Sequence, residues 1–328
     1  MASSVLAIAI EYLGGQSSRA GPGVPRGSGD PPHYMKNDPI ERALAALDEI
    51  PLHTAEGRKQ IEKALDAKFN LVVAKAARIA GNAHWLEITG KLVTSFQRMI
   101  EAADKGCVAK TAIARALHAL EYDGADFFIA GMRHRQPEAV WGGSEDSAVD
   151  LRAVCAMGLA GSTCFYKLRE LVNLLVDSEW RARAGAVRAI ATVGSDAASL
   201  LLRLKALSGD EEPNVTADCF IGLLGIDGAE AVPLVASFAG NKGDAREAAI
   251  LALGESKRED AVEALKELFG RIPDPQGRRC ILLALATSRT ETAKTFLSEL
   301  VRSDNPRTAA LVGEVRAEIE NALRPREV

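Results

Sequence analysis

AREAAILALGESKREDAVEALKELF, residues 245–269, aligns with GRRCILLALATSRTETAKTFLSELV, residues 277–301. At this shift of 32 residues nearly every apolar position lands on another apolar position. Ala261, Ala264, Leu265, Leu268 and Phe269 superpose on Ala293, Phe296, Leu297, Leu300 and Val301. Both sets follow the i, i+3, i+4, i+7, i+8 stripe of an amphipathic helix. Before each stripe runs a second helix written in small residues, as in Ala252-Leu253-Gly254 and Ala284-Leu285-Ala286. Small side chains let helix axes approach closely on several sides. Each unit is therefore a pair, helix A then helix B, and repetition of such pairs is the signature of a stacked array.

Working outward, the junction position Gly254 is carried along the chain as Arg78, His118, Gly158, Ala191, Gly225, Gly254, Ala286 and Val315. The intervals are 40, 40, 33, 34, 29, 32 and 29 residues, so the early units have longer connections. Glu212-Pro213, Asp274-Pro275 and Asn305-Pro306 punctuate the turns, each ending one helix and opening the next. Ser256-x-x-Glu259 and Ser288-x-x-Glu291 read as capping boxes at equivalent places, each opening a helix B. No stretch alternates like a strand. The expected fold is all-α, a solenoid of antiparallel helix pairs.

Composition agrees with this reading. The 328 residues are 47% hydrophobic and only 5% aromatic, as suits thin layers packed with Ala, Leu and Val. A formal charge of -4 supplies no general basic field and disfavours nucleic acid as a partner. The five cysteines, Cys107, Cys155, Cys164, Cys219 and Cys280, show no C-x-x-C pair. Four of them fall in segments read as buried helices, where Cys behaves as a small hydrophobe, and a reducing cytoplasm is expected. No apolar run approaches the roughly 20 residues of a membrane span. Val5 to Ile10 is too short for a secure signal core and has no Lys or Arg before it.

Segment boundaries follow from the same signals. Residues 1–37 form a tail, with a Gly/Pro/Ser-rich stretch from Gly14 to Pro32 expected to be disordered. Asp38-Pro39-Ile40-Glu41 opens the folded body, and Met35 just before it is a candidate start residue. Residues 38–68 are expected to be capping helices, 69–146 two longer repeats, 147–306 compact repeats, and 307–328 a C-terminal capping helix.

Asp244-Ala-Arg-Glu-Ala-Ala-Ile-Leu-Ala-Leu-Gly-Glu-Ser resembles the D-x-x-V-R-x-x-A-A-x-A-L-G consensus of HEAT-like repeats of the phycobilin-lyase type. The resemblance covers about Asn70 to the C-terminus and is strongest from Asp177 to Asp304. It implies an armadillo-like superhelix and is unspecific for activity. The HEAT-repeat deoxyhypusine hydroxylases bind di-iron through His-Glu motifs, and no histidine here is followed by Glu. A Walker-type loop, H-E-x-x-H and G-x-S-x-G are also absent from the sequence. A bilin pocket has no recognisable residues, and the basic, aromatic face of HEAT-like DNA glycosylases is missing. No catalytic, metal or cofactor site is assigned.

Two sets of residues stand out. Lys110, Arg183, Arg246, Arg278 and, in the last unit, Arg307 form a basic column, each eight residues before a junction. They read as structural, each meeting an acidic or carbonyl group of the neighbouring unit, with an anion-binding ladder as the alternative. Gly131 to Asp146, GMRHRQPEAVWGGSED, is a long connection carrying Arg133, His134, Arg135 and Trp141. That composition suits an interaction site, or a plug in which Trp141 folds back into the groove. Arg203, Glu263, Lys266, Glu267, Lys294 and Ser298, opposite the helix B stripe, are further partner-facing candidates. The leading functional expectation is a monomeric, non-enzymatic scaffold gripping a protein segment. The alternative is a lyase-like or chaperone-like accessory factor for a cofactor-bearing protein.

Overall fold

The computed structural model describes residues 39–52, 54–241, 243–302 and 305–323. The expectations for the tail, for Asp38 as a cap and for Met35 lie outside these residues. The described chain is seventeen α-helices and one β-hairpin, and it divides into two compact units at Gly194 and Ser195.

In the first unit, α1 (Pro39–Asp48) and α2 (Ala55–Leu65) pack on α3 (Asn70–Asn82). The chain continues through α4 (Thr89–Glu101), α5 (Val108–Ala119), α6 (Ala125–Arg133), β1 (Pro137–Val140), β2 (Gly143–Asp146), α7 (Val149–Gly161), α8 (Lys167–Leu174) and α9 (Trp180–Val193). Helices α3, α5, α7 and α9 stack side by side as an A row, while α4, α6 and α8 each pack beside the row as B helices.

The second unit repeats the plan. Its A row is α11 (Pro213–Ile226), α13 (Arg246–Glu255), α15 (Pro275–Ser288) and α17 (Pro306–Leu323). Its B row is α10 (Asp196–Ser208), α12 (Val232–Gly240), α14 (Glu259–Arg271) and α16 (Glu291–Arg302). This is an all-α solenoid architecture of stacked helix pairs. The junction positions Arg78, His118, Gly158, Ala191, Gly225, Gly254, Ala286 and Val315 fall in α3, α5, α7, α9, α11, α13, α15 and α17.

Flanking on several sides explains the A-row composition. In α13 every residue from Ala249 to Gly254 is buried, which a surface helix with one apolar stripe would never show. A Cβ added at Gly254 would lie 2.4 Å from the Ala284 carbonyl oxygen of α15, so only glycine permits that approach. B helices instead bury one stripe: α14 buries Ala261, Val262, Leu265, Leu268 and Phe269 and exposes Glu263 and Glu267. Each fully buried Leu, Val or Phe contributes about 1.5–3 kcal/mol against the entropy of ordering the chain.

Two local expectations are corrected. Ser256 and Ser288 do not open helices. Their hydroxyls donate back to the carbonyls of Leu253 (2.6 Å) and Leu285 (2.7 Å), and α14 and α16 begin after them. The cause is the turn itself. Lys257 (φ 54°) and Arg289 (φ 57°), again 32 residues apart, adopt the left-handed conformation that terminates an A helix. Glu121, Gly194 and Gly228 do the same, each three residues after its junction position. Thr290 then caps α16 by accepting from the Ala293 amide at 3.2 Å. Asp274 caps α15, accepting from the Gly277 amide at 2.7 Å with Pro275 in the first turn.

The second correction is the hairpin. Pro137 pairs with Asp146, Glu138 with Glu145, Ala139 with Ser144 and Val140 with Gly143, in antiparallel register. Neither face of this ribbon is covered, and most of its residues are exposed. No apolar–polar alternation is therefore required, and the period-2 signal of a half-buried strand is missing. The two-residue turn Trp141-Gly142 closes the ribbon because Gly142 takes φ 91°.

Candidate interaction surfaces

The hairpin enters the first unit between α6 and α7, and a polar network holds its base. Asp146 accepts from the Gln136 amide at 3.0 Å, and the Ser147 amide donates to the Gln136 carbonyl at 3.0 Å. The Gln136 side chain donates to the Asp104 carbonyl at 2.7 Å, and the buried Lys110 ammonium donates to the Gln136 amide oxygen. Glu138 accepts from the Gly106 amide at 2.7 Å and the Ser147 hydroxyl at 2.9 Å. These bonds bind the ribbon to the turn between α4 and α5.

The turn between α8 and α9 is bound in as well. Arg152, on α7 and wholly buried, donates through Nη1 to Asp146 at 2.6 Å and through Nη2 to Asp177 at 3.1 Å. Arg135 donates to the other oxygen of Asp177 at 2.7 Å. Three successive connections are thus cross-linked by charge-assisted hydrogen bonds, the strong kind.

The electrostatics follow from this geometry. Burial pushes the Asp146 carboxyl up, but the amides of Gln136 and Ala148 and the Arg152 guanidinium together hold it below its ordinary value. Hydrogen bonds from Gln136, the Gly106 amide and Ser147 hold Glu138 below its ordinary value. Burial, then the nearby Lys110 charge, pushes the His134 imidazole down, and its buried Nε2 has no hydrogen-bond partner.

The candidates from the sequence therefore separate. Arg133 pairs with Glu170 of α8 at 2.7 Å while remaining largely exposed. His134 and Arg135 sit in the hairpin base, with Arg135 committed to Asp177. Trp141 lies at the opposite end, in the turn, with its side chain 104% exposed beside Val140 at 47%. It does not fold back into a groove, which removes the plug reading. The indole stands clear on a ribbon whose base is locked.

The basic column holds several geometries rather than one. Arg246 reaches Asp274, the cap of α15, at 2.7 Å, and its guanidinium fills the space a side chain at Gly277 would need. Arg183 donates to the carbonyls of Asp177 and Ser178, in the turn before its own helix, at 2.9 and 3.0 Å. Arg278 bonds the Ile272 carbonyl at 2.7 Å and stacks on Phe269. Arg307 is exposed, and its backbone amide bonds Asn305.

On the second unit, Arg203 projects from α10 in company the sequence did not flag. Ala198, Ser199, Leu202 and Ala206 are buried, whereas Leu200, Leu204 and Leu207 are each at least 60% exposed. The available signal is an excess of leucine, LLLRLKAL at 200–207, beyond what one stripe requires. Lys266 is tied down, pairing with Glu263 at 2.9 Å and lying over the Phe296 ring at 5.6 Å. Lys294 pairs with Glu291 and Glu267 with Arg271, both within one helix.

Residues 233–323, spanning α12 to α17, match the family model described as HEAT repeats. That segment is a run of HEAT repeats. None of the curated proteins compared with the chain matches it. Among solved structures, human deoxyhypusine hydroxylase in complex with glycerol is similar at 17% identity, over 77% of this chain and 91% of that one, with a TM-score of 0.30. A likeness that slight carries no argument about activity. Among the described residues no helix is long and apolar enough to cross a membrane.

Proposed function

We propose that this HEAT-repeat chain is a non-enzymatic scaffold that holds a protein partner, with Trp141 as its anchor. The supporting observation is the mounting of that side chain: full exposure at a hairpin tip whose base is fixed by the buried Arg152 and Asp177. An exposed aromatic on a preorganised support loses little conformational entropy on binding and suits a hot spot worth about 2 kcal/mol or more. Leu200, Arg203, Leu204 and Leu207 on α10 offer a further surface of the same character. We read the likeness to the phycobilin-lyase type of repeat as one of architecture. The expected scaffold is monomeric and works without a cofactor.

The test is affinity capture with the full chain and with Trp141→Ala. A reproducible partner lost from the variant, with an unchanged melting temperature, supports the reading. Equal capture by both proteins overturns the role given to Trp141.

A further inference from the structure

A groove of about 250 Å³ lies in the second unit, where the C-terminal ends of the neighbouring helices α11 and α13 come together. Its walls are apolar: Ile221 and Leu224 from α11, Ala252 from α13, and the bare backbone at Gly225. The volume suits one side-chain-sized group and is below that of most cofactor sites.

One polar group in the groove is unsatisfied. Glu255 is half-buried at the end of α13, and its Oε2 is cut off from solvent with no hydrogen-bond partner. Leaving a carboxylate oxygen buried without a donor is unfavourable, because the hydration it gives up is not replaced. Burial, and next the charge of Asp218, push the Glu255 carboxyl up, with Lys257 opposing. Arg258 also lines the groove, but its guanidinium is already engaged by Asp260 through two hydrogen bonds, at 3.0 and 2.8 Å. The helix ends add to the field, because α11 and α13 both terminate here and helix C-termini favour cations.

Apolar walls leading to an acceptor at the negative ends of two helices form the complement of an alkyl chain carrying a positive head. Basic side chains have that shape, burying the stem and presenting the charge. We propose that this slot accepts a lysine or arginine side chain of a partner polypeptide, with the Glu255 carboxylate turning toward the groove to take its charged head. The assignment rests on the scaffold reading for its biological occupant, while its chemistry can be tested without the partner.

The experiment uses the full chain with labelled Ile and Leu methyl groups, titrated with N-acetyl-lysine amide and, separately, with the uncharged N-acetyl-norleucine amide. The lysine compound is expected to shift the Ile221 and Leu224 methyl signals saturably in the millimolar range. Glu255→Gln should weaken this about tenfold, and Glu255→Asp, which keeps the charge, should retain part of it. Equal shifts with norleucine amide, undiminished shifts in Glu255→Gln, or no saturable shift overturn the proposal. Failure of the unmutated full chain to capture any reproducible partner, with an intact lysine response, would sink the scaffold reading and leave the slot standing. Intact capture without a lysine response would do the reverse.

Discussion

Arg152 and Asp177 meet as an ion pair with Nε 3.0 Å from Oδ2 and no exposed surface on either side chain. One belongs to α7 and the other to the turn that leads into α9. Breaking such a pair from one side leaves a charge in the interior, which is strongly unfavourable. Asp177→Ala should destabilise the chain by about 3 kcal/mol in chemical denaturation. Arg135→Ala, at the half-exposed edge of the same network, should lose less than about 1 kcal/mol. Similar small losses for both variants would show that the network does not hold the turns.

Two glycines at equivalent register positions should respond with opposite signs. A methyl group at Gly254 runs into the Ala284 backbone, whereas one at Gly225 meets nothing within 4 Å. Gly254→Ala should destabilise by about 1–3 kcal/mol through forced separation of α13 and α15. Gly225→Ala should be neutral or gain up to about 1 kcal/mol from improved helix propensity. Melting curves of the two variants decide it, and matching shifts would refute the packing account.

The left-handed turn residues make a second paired test. Lys257 and Arg289 hold positive φ with a side chain, while Gly194 holds it without one. Lys257→Gly and Arg289→Gly should each stabilise by about 0.5–1 kcal/mol, and Gly194→Ala should destabilise by about 1 kcal/mol. Circular-dichroism melts with the opposite ordering would contradict these turn conformations.

Acid should unfold the chain partly through Asp146. Its folded-state value is depressed, so its contribution is present above the unfolded value and is lost as pH falls through the folded one. Unfolding free energy measured from neutral pH downward should therefore decline below about pH 4, with a shallower acid limb in Asp146→Asn. Identical limbs would remove Asp146 from the acid response.

All five cysteines are buried. Burial pushes the Cys107 thiol up to about 11 and those of Cys219 and Cys280 up to about 12, and raises Cys155 further still. A thiolate is the reactive form, so the folded chain at pH 8 should react slowly with an aromatic disulfide reagent. Unfolding in guanidinium should release all five. Rapid stoichiometric labelling of the native chain would contradict this burial.

The helix pairs are written in the amino-acid order alone. Small residues recurring near Gly254 and its equivalents follow from A helices flanked on several sides, and that periodic constraint is written locally, in residue size and spacing. The all-α array and the helix containing each junction were legible for that reason. The ends of helices were legible only in part. Pro275 and Asp274 mark a start unambiguously, but Ser256 looks like a cap until the left-handed Lys257 is seen to move the start beyond it.

The roles of the charged and exposed residues emerge from packing between distant segments. Arg135 and Arg152 look alike as sequence, and their shared use of Asp177 depends on turns from three successive repeats coming together. Trp141 could have been plug or anchor, and its exposure was settled by a ribbon with no buried face to announce it. Leu200, Leu204 and Leu207 are left exposed because α10 buries Leu202 and Ala206 instead. Periodicity reports which face of a helix is apolar. Which apolar face is left without a neighbour is a property of the assembled array.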